Sequence, residues 1–129
     1  MTVHIVRLGS PRAANEGTRI GTVRRPPRGV PKSEFSSGNW YDVWYPNLSP
    51  SAELVKQALA AEDDRAWNAF AKKYRSEMAA PEPSRSLDVL AALSLSGDFS
   101  VGCYCEDEAH CHRSVQRELL VASGASVAA

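Results

Sequence analysis

The chain has 129 residues, 43% hydrophobic and 23% charged, which suits a single soluble globular domain with one core. Its 15 basic side chains balance 15 acidic ones, so no global field draws in a polyanion and extended duplex nucleic acid is not an expected partner. No apolar run approaches the roughly 18–20 residues a membrane span needs.

Residues 3–8 read as a strand by their β-branched alternation, ended by Gly9-Ser10-Pro11. That strand-like opening, MTVHIVRLGS, lacks the charged-then-apolar order of a signal peptide, so the expected location is cytoplasmic. Residues 19–24 form a second short strand, closed by Pro26-Pro27, which cannot donate to a ladder. Residues 25–39 make a long irregular loop, and loops of that length inside a compact domain commonly carry function. Arg19, Arg24, Arg25, Arg28 and Lys32 fall in a stretch without an acid. Trp40, Tyr41, Trp44 and Tyr45 follow as an aromatic knot that would pin the loop to the body.

Three helices come next. Ser49 is placed as the cap of the first, with Pro50 at its first position and Leu54, Val55, Ala58 and Leu59 as its apolar stripe. Asp63 or Asp64 caps the second, where Trp67, Phe70, Ala71, Tyr74 and Met78 recur at helical spacing and read as core. Pro81 and Pro83 are taken to end it, and Ser84 or Ser86 to start a third carrying Leu87, Leu90 and Leu93. Residues 99–105 form the last strand, and a final helix runs from about residue 110 to 122. The domain is expected to span 1–122, with 123–129 a frayed tail of small residues.

Strands separated by helical stretches point to an α/β fold, a small Rossmann-like three-layer domain with a short, largely parallel sheet flanked by helices. Three strands are few for such a sheet, so a fourth is expected from residues 40–44 or from a dimer partner. Right-handed crossovers would gather the strand C-termini on one edge, with Arg7, Gly9, Arg24, Arg25, Cys103 and Cys105. Such an edge, where strands feed helix starts, is the usual ligand crevice of an α/β protein.

The chemistry-bearing stretch is FSVGCYCEDEAHCHRSVQREL, which holds all three cysteines and two of the three histidines. An odd number of cysteines, two of them one residue apart, is a poor disulfide framework and fits a reducing compartment. Three readings of the cluster stay open. Cys103, Cys105 and Cys111 with His110 or His112 have the donor types of a tetrahedral zinc centre. Alternatively, Cys111 at a helix N-terminus beside His112 and Arg113 is placed to ionise and react. Or the cysteines are small buried hydrophobes.

Arg24, Arg25 and Arg28, with Arg113, have the bidentate donors that clamp a phosphate or carboxylate, unless the loop is simply solvated. Tyr41, Trp44 and Tyr104 offer stacking faces for a nucleotide. Asp107 and Glu108 read as caps of the last helix. Glu106, next to the strand-end cysteine, is the acid placed to enter the crevice as a general acid or base. His4 alternates on the first strand and reads as structural.

The stretches RIGTVRRPPRGVPK, DVW…SPSAEL, WNAFAKKYRSEM and CYCEDEAHCHRS resemble the YeaO-like family, domain of unknown function DUF488, from about residue 5 to 120. The last stretch resembles the Cys-x-Glu…Cys-His-Arg element of one branch, carried here by Cys105, Glu106, Cys111, His112 and Arg113. The YeaO branch itself has other residues in place of Cys103, Cys105 and Cys111, and often an Asp where this chain has Val23. The resemblance implies a small Rossmann-like domain and assigns no activity.

The expectation is therefore one crevice at the strand C-termini that binds a small anionic ligand, a nucleotide or other phosphate, with enzymatic activity in view. Arg24, Arg25, Arg28 and Arg113 would hold the anion, and Cys105, Glu106, Cys111 and His112 would form the reactive rim. No cofactor is expected in that reading. The alternative is an interaction module without catalysis, either metal-free or holding zinc through Cys103, Cys105, Cys111 and His112. Oligomeric state is left open.

Overall fold

The computed structural model describes residues 1–128. Four strands, β1 (Val3–Arg7), β2 (Thr18–Gly21), β3 (Val43–Trp44) and β4 (Phe99–Cys103), form one parallel sheet in the order β1-β4-β2-β3. The helices are α1 (Ala52–Ala60), α2 (Asp64–Met78), α3 (Pro81–Ser94) and α4 (His112–Ala122). The expected small α/β domain is thus present, and its fourth strand comes from this chain.

β4 lies inside the sheet and all five of its residues are buried, which is why FSVGC lacks polar alternation. Its register, Arg7↔Cys103 on one side and Gly21↔Gly102 on the other, brings the C-terminal ends of β1, β4 and β2 level with one another. On one face Val3, Ile5, Ile20, Phe99 and Val101 meet Phe70, Tyr74, Met78, Leu87, Leu90, Val115 and Leu120 from the helices. Each such large side chain contributes about 1.5–3 kcal/mol by burial. On the other face the covering chain comes so close that two strand positions need glycine. A Cβ on Gly21 would lie 2.4 Å from the Tyr41 ring, and one on Gly102 would lie 2.7 Å from both Leu8 and the Val6 carbonyl.

Several boundaries differ from the sequence expectation for local reasons. Ser51, not Ser49, caps α1: its side chain accepts from the Leu54 N–H at 3.4 Å. Asp63 caps α2 as expected. Pro81 and Pro83 sit in the first turn of α3 and open that helix, because a first-turn proline has no intrahelical N–H bond to lose. β2 ends at Gly21 and β4 at Cys103, two residues or more short of the expected ends. Val127 bridges Val3, and the Ala128 N–H donates to the Val3 carbonyl at 2.9 Å, so residues 127–128 lie along the free edge of β1. Among the described residues no helix is long and apolar enough to cross a membrane.

Candidate functional site

At the C-terminal end of the sheet a second cluster gathers Leu8, Val23, Tyr41, Cys103 and Cys111, with Trp40, Tyr104 and Cys105 against it. Between β4 and α4 the chain makes a 3-10 turn, Glu108–His110. The acids of this loop are spent locally. Asp107 accepts from the Ala109 N–H at 3.0 Å and holds His110 Nδ1 at 2.8 Å, while Glu108 pairs with Arg117 at 2.7 Å. Asp107 therefore caps the short turn. Cys111 is the N-cap residue of α4, and no side chain caps that helix.

The three cysteines are free and converge. Cys103 Sγ lies 3.8 Å from Cys105 Sγ, and Cys111 Sγ lies 4.0 Å from His112 Nδ1. Donor atoms of Cys103, Cys111 and His112 all fall within 4.8 Å of one another, a grouping that could hold a metal ion. All three residues are buried, and Cys105 is half-buried.

His112 Nε2 lies 2.8 Å from the Thr22 carbonyl. A carbonyl only accepts, so that nitrogen carries the hydrogen and Nδ1 turns its lone pair toward Cys111. The ring is steadied edge-on by Tyr74, with centroids 5.6 Å apart. Thr22 is held in turn: its N–H and hydroxyl donate to the Gly102 carbonyl, and the hydroxyl also reaches Gln116 Oε1 at 3.1 Å. Gln116 donates to the Leu48 carbonyl and the Tyr74 hydroxyl.

The thiols polarise one another. Donation from Cys103 and Cys105 holds Cys111 far below the ordinary thiol range despite its burial. Donating toward Cys105 and Cys111, together with burial, pushes Cys103 far up. Cys105 is lowered by the bond from Cys103, but its own donation to Cys111 and its burial outweigh that and leave it raised.

The four arginines have different fates. Arg113 is 3% exposed, donates from Nη2 to the Cys105 carbonyl at 2.6 Å, and leaves its buried Nε without a partner. Among the described residues it forms no ion pair. Arg24 spends its guanidinium on the carbonyls of Pro50, Ser49 and Pro46, at 3.1, 3.1 and 3.4 Å, tying the chain after β2 to the start of α1. Arg25 and Arg28 are exposed. The backbone of this segment nonetheless borders the cluster, for Tyr104 donates its hydroxyl to the Arg25 carbonyl at 2.8 Å and Val23 packs on the cysteines. Glu106 does not turn inward: it is 83% exposed and lies 3.6 Å from Arg7. His110 also points away, against Asp107 and Trp67, which leaves His112 as the histidine of the cluster.

A protein-family model described as "Active DUF488-N3 subclade" matches residues 3–124. The chain belongs to the DUF488 family. No curated protein and no solved structure matches it. The family match covers both edges of the cluster, from Thr22 to Arg113, and agrees with the DUF488 resemblance of the sequence, without bearing on the branch its Cys-x-Glu element suggests.

Sequence reasoning did not single out Thr22, Tyr74 or Gln116 as parts of this site. Thr22 acts on His112 through its backbone carbonyl, which every residue type has, so no sequence signal marks it. Gln116 had one usable signal: it is an amide adjacent to the apolar stripe of α4 and had to find buried partners.

Proposed function

We propose that this DUF488 protein binds a small phosphate-bearing anion, such as a mononucleotide, at the start of α4, and acts on it with the neighbouring Cys and His side chains. The observation that carries the reading is Arg113. A guanidinium this buried, with a free Nε and no ion pair among the described residues, is short of the negative charge that such a cation requires. A bound phosphate supplies it, and the uncapped N–H groups of α4 favour the same charge. Cys105, Cys111 and His112 would line the reacting side, with exposed Arg25 and Arg28 as outer contacts and Tyr104 as a stacking face. Glu106 would enter only by leaving Arg7, and Arg24 would support the loop and not the ligand. The description of the matching subclade as active agrees with an enzyme.

The test is equilibrium binding of inorganic phosphate and of AMP to the parent protein and to Arg113→Met and Arg24→Met. Loss of a charge-assisted guanidinium contact, about 1.5–3 kcal/mol, should weaken binding roughly 10–100-fold in Arg113→Met. Arg24→Met should bind as the parent does, once circular dichroism shows it folded. No binding at millimolar ligand, or equal binding by Arg113→Met, overturns the proposal.

A further inference from the structure

We infer that Cys103, Cys111 and His112, with Cys105 as the fourth donor, form a binding site for a divalent ion of the zinc class. The inference rests on the donor set and not on the anion reading above. Around a tetrahedral zinc, bonds of about 2.3 Å to sulfur and 2.0–2.1 Å to nitrogen put neighbouring sulfurs about 3.8 Å apart, and sulfur about 3.5 Å from nitrogen. Cys103 and Cys105 already stand at 3.8 Å, and Cys111 and His112 Nδ1 at 4.0 Å. The three buried donors fit within 4.8 Å, so closing them on an ion needs shifts of about an ångström or less, while Cys105, outside that group, would come in from beside Cys103.

The histidine is prepared in the way a ligand histidine is prepared. Its Nε2–H is fixed on the Thr22 carbonyl, which commits the Nδ1 lone pair to the side where the sulfurs lie. That nitrogen has only the long contact to Cys111. Three sulfurs and an imidazole nitrogen select a borderline-soft ion such as zinc over magnesium or calcium, which take oxygen ligands. On binding, each sulfur that still carries a proton releases it to solvent as its bond to the metal forms, and His112 donates a lone pair with no change of proton. The donors come from the end of β4, the turn after it and the start of α4, so the ion would join the sheet to the helix. Cys105 is the least buried of the four, and its position is the one open to exchange.

Cobalt(II) titration of the chelator-treated parent protein, without phosphate, tests this directly. The expected result is saturation at one ion per chain, with an intense near-ultraviolet thiolate-to-cobalt band and tetrahedral visible bands. Zinc should then displace the cobalt and slow the reaction of all three thiols with a thiol reagent. Cys111→Ser and His112→Gln should lose stoichiometric binding. Cys105→Ser, altered at the half-exposed position, should keep one ion but bind it more than about tenfold more weakly. A parent protein that gives no thiolate–cobalt band, or whose three thiols react equally fast with and without zinc, overturns the inference. So does a His112→Gln variant that binds as the parent does. Phosphate binding by the chelator-treated protein reports on the anion reading alone, so either proposal can fail without the other.

Discussion

Replacing Glu16 by glutamine should destabilise the protein by about 3–5 kcal/mol, because it strands a cation inside the fold. Arg19 is fully buried and Glu16 is 3% exposed. The carboxylate takes hydrogen bonds from Arg19 Nε and Nη2, from the Ala13 N–H at 2.8 Å and from the Ser100 hydroxyl at 3.2 Å. Burial alone would raise its pKa, but the Arg19 bond, the Ala13 N–H and the Ser100 hydroxyl together bring it below the ordinary carboxylate range. The remaining guanidinium donors go to the carbonyls of Ser10, Asn39 and Pro11. Every donor is satisfied, so the fold is committed to the charge, and an amide in place of the carboxylate leaves that charge unpaired. Domains of this size have about 5–15 kcal/mol to lose. The expected fall in Tm is about 10–20 °C, measured by calorimetry or by circular dichroism. In a double-mutant cycle with Arg19→Met, the double variant should lose about 1–3 kcal/mol less than the sum of the singles. A Glu16→Gln loss below about 1 kcal/mol, or additive singles, would refute the reasoning.

Two other perturbations test the frame around the site. Burial would raise Asp42, but hydrogen bonds from Arg12, Ser36 and the Arg19 N–H lower it from 3.8 to about 2. The stability this contributes is present above the unfolded value and is lost as the pH falls through about 2, a total of about 1 kcal/mol once solvent screening at this exposed residue is allowed for. Asp42→Asn should therefore be less stable than the parent at pH 7, and the gap should close between about pH 4 and pH 2; a constant gap in acid denaturation would contradict it. Gln116→Leu removes the buried amide that joins Thr22, Leu48 and Tyr74, yet the Thr22 hydroxyl keeps Gly102 and the Leu48 carbonyl keeps Tyr74. Its cost should be about 1–2 kcal/mol in urea unfolding, and a loss above about 4 would mean those partners do not compensate.

The layers of the fold were legible because periodicity records burial. The stripe of Phe70, Tyr74 and Met78 on α2 and the unbroken apolar run of β4 are both in the core. Proline was harder to read, since the same residue ends one helix and opens the next; only the chain geometry at Ala80 decides which. That Cys105 and Cys111 could meet across the short acidic loop was legible from their spacing at a strand end and a helix start; that Cys103 joins them was not, and it follows from the side chains packed at the end of β4. The fate of the arginines did not follow. Arg19 and Arg24 lie in one acid-free run, yet Arg19 is buried against Glu16, while Arg24 is bound to carbonyls of the segment before α1. Charge density along a chain says nothing about which cation folds inward; that depends on which acids and carbonyls tertiary packing brings near. The choice between His110 and His112 has the same cause. Each stands beside Cys111 in sequence, and a backbone carbonyl from a distant strand end makes one of them part of the site. Local sequence can thus supply the reacting atoms, but the group that aims them is a carbonyl any residue could provide.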